Sequence, residues 1–395
     1  MTDAILRQVL RRERTPLYVF DLAALPRRAE FLRSHLPAGT GLCYAVKANP
    51  FLLPGLAGSV ERLEICSPGE LAICRRAGLD PKTFVLSGVH KDPGALGELV
   101  AQGEIGCYTA ESMTQFSALY GAAVAARRPV SLLLRLTSGN QFGMDEGEVR
   151  WILSHYGADP WLDIRGIQYF SGTQKASAKR LARELAMLDR FLASLPRPVE
   201  ELEYGPGFPV AYFPEDAFDE RAFLDAFADG LRGLAFRGRV TLELGRSLAA
   251  GCGTYLTRVV DVKENHGARY AILDGGSHQV TYYGQAMAMR RPPVRPLSPR
   301  DGEARPWTLC GSLCTIHDVL AKALPLGGLE IGDVLAFDQA GAYAMTEGMA
   351  LFLSRDLPGV VLVDGQGRAQ LARDHLPTDP LNTPNGQKEW NLWND

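Results

Sequence analysis

The sequence predicts an α/β fold: a (βα)8 TIM-type barrel followed by a C-terminal, mostly-β domain. Short strand-like runs alternate with amphipathic helical stretches, which is typical of a parallel α/β architecture rather than a sandwich. Nearly every run ends in a polar residue or a glycine, as the active-site face of a barrel requires. After about residue 255 this alternation gives way to strands with Pro- and Gly-rich connections. A chain of 395 residues has room for two domains.

The barrel elements follow an opening strand-like run at residues 17–20. The stretches between the later strands, such as 68–77 and 178–195, place apolar residues at helical spacing, as an outer ring of barrel helices does. Eight β/α units in this order predict a closed barrel. The eight strands are predicted at 41–47, 63–67, 83–88, 104–109, 131–137, 164–170, 202–207 and 241–246.

The remaining chain reads as a second domain built mostly of strands. Residues 1–25 are expected to join it, since no helix of their own separates them from the barrel. From residue 376 onward Pro, Asn, Asp and Trp dominate, which predicts an irregular tail. The strands of this domain are predicted at 255–263, 270–273, 334–337 and 360–363.

Charge and cysteine content exclude several classes of function. The formal net charge is -3 and no basic stripe occurs, so neither nucleic acid nor a membrane surface is an expected partner. The seven cysteines are scattered without Cys-x-x-Cys pairs, which argues against a disulfide framework and predicts a reducing, cytoplasmic setting. The histidines are equally dispersed, and no catalytic metal is predicted.

A lysine closes the first barrel strand. Lys47 follows the run 41–46 and precedes a turn at Asn49. A strand-end lysine can extend to solvent as an ordinary surface charge. At the carboxyl mouth of a barrel it instead points into a cleft that can lower its pKa and allow it to form a Schiff base. The motifs elsewhere in the chain favour the second interpretation.

Several short motifs occur in a fixed order along the chain. They are 44–50 (Tyr-Ala-Val-Lys-Ala-Asn-Pro), 171–174 (Ser-Gly-Thr-Gln), 204–209 (Tyr-Gly-Pro-Gly-Phe-Pro), 243–246 (Glu-Leu-Gly-Arg), 314–318 (Cys-Thr-Ile-His-Asp) and 341–343 (Gly-Ala-Tyr). Together, from about residue 15 to about residue 365, they resemble the fold-type III pyridoxal-phosphate decarboxylases, which include ornithine and diaminopimelate decarboxylases. The resemblance implies a lyase with an alanine racemase/ornithine decarboxylase-like fold and pyridoxal 5'-phosphate (PLP) as its cofactor.

The resemblance also implies how the chain is divided and assembled. Residues 26–255 would form the PLP-binding barrel. Residues 1–25 and 256–395 would form a β-domain that completes the active site of the partner subunit in a head-to-tail homodimer. Cys314 and Tyr343 are both expected to reach the site from that partner. Cys314 would then protonate the product.

The other cofactor contacts are implied residue by residue. Lys47 would bind the cofactor as a Schiff base, and Glu243 would keep its pyridine nitrogen protonated. Each motif also has a packing alternative: Gly-Pro-Gly as a plain turn, Glu243 with Arg246 as an ion pair, and Cys314 as a small buried apolar residue. Gly205 and Gly207 would let the backbone approach the phosphate, and Arg246 and Tyr343 would donate to the phosphate or to the substrate carboxylate. Gly245 is a further expected cofactor contact.

Two departures from the family pattern bear on ring stacking and on the substrate. Phe170 takes the place of the histidine that stacks on the cofactor ring, and an aromatic face can still stack there. Thr315 replaces the acidic residue that holds the far amine of ornithine or diaminopimelate, so a simple diamino acid is disfavoured. The pattern is most similar to decarboxylases of carboxylate-siderophore pathways, acting on diaminopropionate, diaminobutyrate or a citryl conjugate. The expected substrate contacts are Asn140, Gln141, Gln168, Arg246, His278 and Thr315.

Three alternative functions remain open. One is a decarboxylase of the diaminopimelate, ornithine or lysine type. Another is an amino-acid racemase, which is disfavoured because residues 49–53 lack the Tyr-Gly-His-Gly segment and because Cys314 is present. The third is an inactive regulatory homologue, which would have no need for Lys47, Glu243 and Cys314 together.

Overall fold

The computed structural model describes residues 1–285 and 287–384, with helices and strands that alternate over the first two thirds. The strands are β1 (Leu17–Asp21), β2 (Gly41–Ala45), β3 (Arg62–Ile65), β4 (Phe84–Leu86), β5 (Cys107–Ala110), β6 (Val130–Leu136), β7 (Leu162–Phe170), β8 (Glu201–Gly205), β9 (Arg239–Leu244), β10 (Gly253–Asn265), β11 (Ala268–Leu273), β12 (Val294–Pro296), β13 (Arg305–Cys310), β14 (Val319–Leu326), β15 (Val334–Phe337), β16 (Gly359–Val363) and β17 (Ala369–Arg373). The helices are α1 (Asp3–Val9), α2 (Ala24–His35), α3 (Leu53–Leu56), α4 (Pro68–Arg76), α5 (Pro93–Gln102), α6 (Met113–Ala126), α7 (Glu146–Tyr156), α8 (Ala178–Ala193), α9 (Glu220–Arg232), α10 (Arg246–Ala249) and α11 (Asp379–Asn382).

Strands β2 to β9 close into a parallel barrel. Strand β9 completes the ring by pairing with β2, with Gly41 opposite Thr241. Strands such as β6, Val-Ser-Leu-Leu-Leu-Arg-Leu, are largely apolar because a parallel sheet is covered on both faces. The predicted (βα)8 barrel is confirmed.

The barrel helices begin and end where the sequence provides caps. The side chains of Ser67 and Ser112 each accept a backbone N–H from the first turn of α4 and α6, which satisfies a donor that has no partner within the helix. Helix α8 buries Leu181, Leu185 and Leu188 along one face, the spacing of an amphipathic helix. No helix within residues 1–285 and 287–384 is long and apolar enough to cross a membrane.

The chain divides into two units, a barrel unit and a sheet unit. Of the described residues, the barrel unit comprises 21–252 and 341–343, and the sheet unit comprises 1–20, 253–285, 287–340 and 344–384. The strands of the sheet unit pair in the order β14-β13-β11-β10-β1-β16-β17. Strand β15 also pairs with β10, and β12 pairs with β15. Its core includes Leu17, Leu256 and Val361. The predicted mostly-β domain is therefore confirmed.

The tail from residue 376 is only partly described. Leu376 forms an isolated bridge with Leu357, and α11 adds a single helical turn. The rest of the tail predicted to be irregular, residues 385–395, lies outside the described residues.

Two glycine substitutions test the closeness of the barrel strands. A Cβ on Gly166 of β7 would lie 1.9 Å from the Glu201 carbonyl oxygen of β8, whereas one on Gly121 of α6 would meet no atom within 4 Å. We expect Gly166→Ala to lower the free energy of unfolding by more than about 2 kcal/mol or to prevent folding. Gly121→Ala should raise it by roughly 0.5–1 kcal/mol. Urea unfolding of both variants measures this, and equal effects would contradict the strand packing.

Candidate active site

Lys47 lies at the carboxyl end of β2, on a turn that its neighbours hold in place. One 3₁₀ turn over Val46–Ala48 carries it. The side-chain oxygen of Asn49 accepts the Phe51 N–H at 3.0 Å, and the Tyr44 hydroxyl donates to the Asn49 carbonyl at 3.0 Å. The tyrosine and asparagine of the first motif therefore fix the backbone that presents the amine.

The amine of Lys47 lies between two buried carboxylates. Its Nζ donates to Glu64 Oε2 at 2.5 Å and lies 3.8 Å from Glu243 Oε1. Burial opposes the charged amine, but the two carboxylates outweigh burial and raise the pKa of Lys47 above its usual value. The expectation of a lowered pKa is therefore wrong for the protein without cofactor, because the local sequence pattern does not reveal Glu64 as a neighbour. The pairing with Glu64 therefore favours the protonated amine.

Three glutamates share the barrel interior. Glu64, Glu203 and Glu243 are 3%, 0% and 9% exposed, and buried carboxylates are costly to ionise without a cation or donor. Burial would raise the pKa of Glu64, but Lys47 lowers it. Burial and the charge of Glu64 raise the pKa of Glu243. Of these two carboxyl groups, Glu243 therefore binds its proton more tightly than Glu64.

Gln168 of β7 joins two of these carboxylates. Its Nε2 lies 3.2 Å from Glu203 Oε1 and 3.2 Å from Glu243 Oε2. Gln168 is 1% exposed, and its carbonyl oxygen has no hydrogen-bond partner among the described residues. The substrate contact expected for Gln168 stays a prediction. The nearest partners of its amide hydrogens are these two carboxylates, and the Ser87 hydroxyl oxygen lies further away, at 3.5 Å.

Arg62 is the second cation of the barrel interior. It makes a two-point ion pair with Glu201, and its Nη1 lies 3.4 Å from Glu203 Oε2. Burial raises the pKa of Glu203 to about 7, and the charge of Arg62 limits the rise. Glu203 therefore titrates close to neutral pH.

A second group of residues combines glycines, whose backbone is not covered by a side chain, with the positive charge of Arg246. Gly207 has a φ of +61°, and a Cβ there would lie 2.0 Å from the Gly172 carbonyl oxygen. A Cβ on Gly245 would lie 2.8 Å from the Tyr343 hydroxyl oxygen. Arg246 donates to the Tyr212 hydroxyl at 3.0 Å. Glycine is required at these positions, and an arginine and two phenols lie close to them.

Tyr343 comes from the same chain as Lys47. Its ring centroid lies 4.5 Å from the guanidinium carbon of Arg246, and its backbone N–H donates to the Ala48 carbonyl at 2.7 Å. Residues 341–343 belong to the barrel unit. The expectation that Tyr343 reaches the site from a partner subunit is therefore wrong.

Phe170 ends β7 with its ring against β8. A Cβ on Gly205 would lie 2.5 Å from its ring Cδ2, so the ring fits only because that residue is a glycine. The residue is partly exposed. Its ring is therefore held in place and still able to stack on a ligand ring.

The loop after β6 carries two of the predicted substrate contacts. Asn140 and Gln141 are exposed. The Asn140 side chain organises the loop by accepting the Phe142 N–H at 3.0 Å. Arg135, at the end of β6, lies 2.8 Å from Glu111 and stacks over Phe142 at 4.9 Å. Gln141 is thus the more available of the two side chains.

The sheet unit holds the other predicted residues. Cys314 is exposed and Thr315 is partly exposed, so the alternative of a buried packing cysteine is wrong. The Asp318 carboxylate accepts the Ser277 and Leu313 N–H groups at 2.7 and 2.8 Å, which organises the cysteine loop. His278 is 1% exposed, and neither ring nitrogen has a partner among the described residues. Burial lowers the pKa of His278.

Sequence reasoning missed several residues of the Lys47 environment. A charged residue inside an otherwise apolar parallel strand is a signal that could have found Glu64 and Glu203, since barrel strands are covered on both faces. No comparable local signal marks Tyr212, which lies in the loop after β8. Arg62 is marked only by its alternation with Glu64 along β3.

The donor set fits PLP. A phosphate needs cations, hydroxyl groups and closely approachable backbone, as Arg246, Tyr343 and Gly207 provide. An aldehyde needs an amine such as Lys47, and a pyridine nitrogen needs a group such as Glu243 that can hold a proton beside it. Fold and site thus define a barrel enzyme that uses PLP.

Comparison with known proteins identifies the family. A family model described as "Pyridoxal-dependent decarboxylase, C-terminal sheet domain" matches residues 17–341. The diaminopimelate decarboxylase of Vibrio cholerae serotype O1 is 31% identical over 382 residues, covering 89% of this chain and 88% of that protein. The chain belongs to the fold-type III PLP-dependent decarboxylases, which are carboxy-lyases.

Two further similarities extend the comparison. The 2-[(L-alanin-3-ylcarbamoyl)methyl]-2-hydroxybutanedioate decarboxylase of Staphylococcus aureus is 26% identical over 381 residues, covering 86% of this chain and 92% of that protein. A crystal structure of diaminopimelate decarboxylase from Helicobacter pylori complexed with L-lysine superposes with a TM-score of 0.83, at 21% identity and over 95% of this chain and 98% of that one. That structure shares the fold.

The buried Glu203 predicts a pH dependence of stability. Its pKa is raised to about 7 in the folded chain, so the folded state binds a proton that the unfolded state has lost, and stability falls as pH rises towards 7. For the cofactor-free protein, this group should cost roughly 2 to 4 kcal/mol between about pH 4.5 and pH 7. Glu203→Gln should lose less stability than wild type between about pH 4.5 and pH 7 in urea unfolding. Parallel curves would contradict this, and Glu98→Gln, at an exposed position, is the matched control.

Proposed function

We propose that the protein decarboxylates a diamino acid of the diaminopropionate or diaminobutyrate type, or its citryl conjugate, in the biosynthesis of a carboxylate siderophore. The observation that carries the proposal is Thr315. It follows the exposed Cys314, and its hydroxyl accepts the His317 N–H at 3.3 Å. A neutral side chain at this position cannot form a charge-assisted contact with a distal ammonium group. Within the proposed class, this favours the citryl conjugate, whose side-chain nitrogen is an uncharged amide, over the free diamino acid.

The Staphylococcus aureus relative supports this substrate class. Its name describes an alanine whose C3 bears an amide nitrogen, joined through the amide to a hydroxylated dicarboxylate. Such a substrate has carboxylates at its far end, where ornithine has an amine. The neutral donors and acceptors proposed to line the pocket are Asn140, Gln141, Gln168, His278 and Thr315, with Arg246 as a cation.

A diaminopimelate-, ornithine- or lysine-type decarboxylase is the second candidate. The 31% identity with the Vibrio cholerae diaminopimelate decarboxylase supports it, and the relatives support both candidates equally. The absence of an acidic residue beside Cys314 is the feature that favours the first.

The chemistry is shared by both candidates. When bound, PLP supplies an electron sink for the electron pair left on Cα as the carboxylate departs. In this proposal Lys47 holds the cofactor, and Glu64 is the carboxylate that orients its amine. Glu243 holds a proton at the pyridine nitrogen. Cys314 supplies the proton that replaces carbon dioxide on Cα.

The remaining roles concern binding of the cofactor. Phe170 stacks against the pyridine ring. Arg246 and Tyr343 donate to the phosphate, and Gly205, Gly207 and Gly245 let the backbone approach it. In this proposal Arg246 also binds a carboxylate of the substrate, beside the cofactor phosphate.

We further propose a homodimer in which Cys314 acts at the Lys47 site of the partner subunit. Large apolar side chains are exposed on loops of the sheet unit: Met289 is 81%, Ile316 82% and Met349 62% exposed. The loop that carries Cys314, residues 311–318, contacts Met287: His317 Nδ1 lies 3.1 Å from Met287 Sδ. Apolar side chains exposed on adjacent loops are typical of protein interfaces.

A substrate panel tests the proposed function. The purified, PLP-loaded protein is incubated with free diamino acids and their citryl conjugates, and carbon dioxide release and product mass are followed. The favoured substrate should exceed ornithine, lysine and diaminopimelate by about ten-fold or more in kcat/KM, and Lys47→Ala should abolish turnover. Thr315→Glu should shift the ratio of kcat/KM values towards ornithine and lysine, because it restores an acidic side chain at this position. Faster turnover of ornithine, lysine or diaminopimelate than of any conjugate would establish the second candidate instead.

Subunit mixing tests the shared site. Lys47→Ala and Cys314→Ala proteins are each prepared, then unfolded and refolded together. Half of the dimers formed are then mixed, and each mixed dimer holds one intact site, so activity should recover to about a quarter of wild type. Equal refolding of each variant alone is the control. No recovery, despite mixed dimers seen by native mass spectrometry, would place Cys314 and Lys47 of one chain in the same site.

A further inference from the structure

We infer that Gln168 and Glu203 are positioning residues for Glu243: Gln168 orients its carboxylate, and the charge of Glu203 favours a positive charge on the group that faces Glu243. This inference rests on the role proposed above for Glu243. Neither Gln168 nor Glu203 belongs to the six motifs on which the resemblance rests.

The backbone register places the three residues side by side. Gln168 of β7 lies opposite Glu203 of β8. Glu203 lies opposite Thr241 of β9, and Glu243, two residues further along β9, projects to the same face as Thr241. All three side chains are buried in the barrel. Because paired residues on neighbouring strands project to the same side of a sheet, their polar atoms converge.

The amide of Gln168 is suited to join two carboxylates. A primary amide nitrogen carries two hydrogens, and this nitrogen lies 3.2 Å from an oxygen of each carboxylate. A hydrogen bond donated to an ionised oxygen is about twice as strong as one between neutral groups. Gln168 therefore stabilises Glu243 more once its proton has been given up than while the proton is held.

Glu203 acts through its charge and through the same amide. Its cation is Arg62, at 3.4 Å, which also pairs with Glu201. Ionisation of Glu203 adds a negative charge near Glu243 and favours a positive charge on any group that faces Glu243. The titratable and charged groups around Glu203 are Arg62 and Glu64 of β3, Glu201 of β8, Glu243 of β9, Cys43 of β2 and Cys107 of β5.

Three variants separate positioning from structure. Gln168→Met keeps the length and approximate volume but removes both donors, Gln168→Asn keeps the amide on a shorter side chain, and Glu203→Gln removes the charge. Gln102→Met, at an exposed position on α5, is the matched control. Urea unfolding first confirms that each protein is folded.

Cofactor affinity and absorbance come first, because they require no substrate. Gln168→Met should raise the PLP dissociation constant about ten-fold, with Gln168→Asn intermediate. The visible absorbance of the bound cofactor should change in wild type as pH rises through about 7. This change should be lost in Glu203→Gln. If a substrate is found, Gln168→Met should lower kcat by about ten-fold with KM little changed.

Glu243→Gln distinguishes failure of this inference from failure of the role proposed for Glu243. If Glu243→Gln leaves the cofactor spectrum and activity unchanged, Glu243 does not hold the pyridine nitrogen and both ideas fall. If Glu243→Gln is inactive while Gln168→Met matches Gln102→Met and Glu203→Gln keeps the wild-type pH profile, only the positioning role is overturned. Altered affinity and a lost transition near neutral pH establish it.

Discussion

The site depends on the burial of more negative than positive charge inside a parallel barrel. Glu64, Glu203 and Glu243 are enclosed there, and Lys47 and Arg62 are the cations that contact them. Carboxylates in such surroundings must share protons or donors, because ionising all of them is too costly. The raised pKa values of Lys47, Glu203 and Glu243 are consequences of this one constraint.

Around these buried carboxylates, several polar side chains are held in one orientation by hydrogen bonds. Gln168 adds donors between two carboxylates, and Asn49 and Tyr44 fix the turn that places the amine. A group held by several such contacts reorganises little when charge moves nearby, which is what electrostatic catalysis requires. The barrel thus contributes a rigid electrostatic surrounding as well as a place to bind the cofactor.

Much of the fold could be predicted because strands and helices leave local patterns. Strand β15 begins and ends at the predicted residues 334 and 337. The pairing of Arg62 with Glu201 could not be predicted, because residues 139 positions apart share no local pattern. The subunit expected to supply Tyr343 was predicted wrongly for a similar reason. The motif identifies the residue, but nothing in the sequence around it shows that residues 341–343 belong to the barrel unit. The roles assigned to Cys314 and His278 stay predictions.

The excursion of residues 341–343 has a consequence for how such proteins can evolve. The chain passes between the two units four times, at 20–21, 252–253, 340–341 and 343–344. A gene segment ending at residue 252 would encode Lys47 and Glu243 but not Tyr343. Recombination between relatives at 252–253 or 340–341 would therefore combine the Tyr343 of one ancestor with the Arg246 of another, so the contact between these two side chains would join parts of different origin.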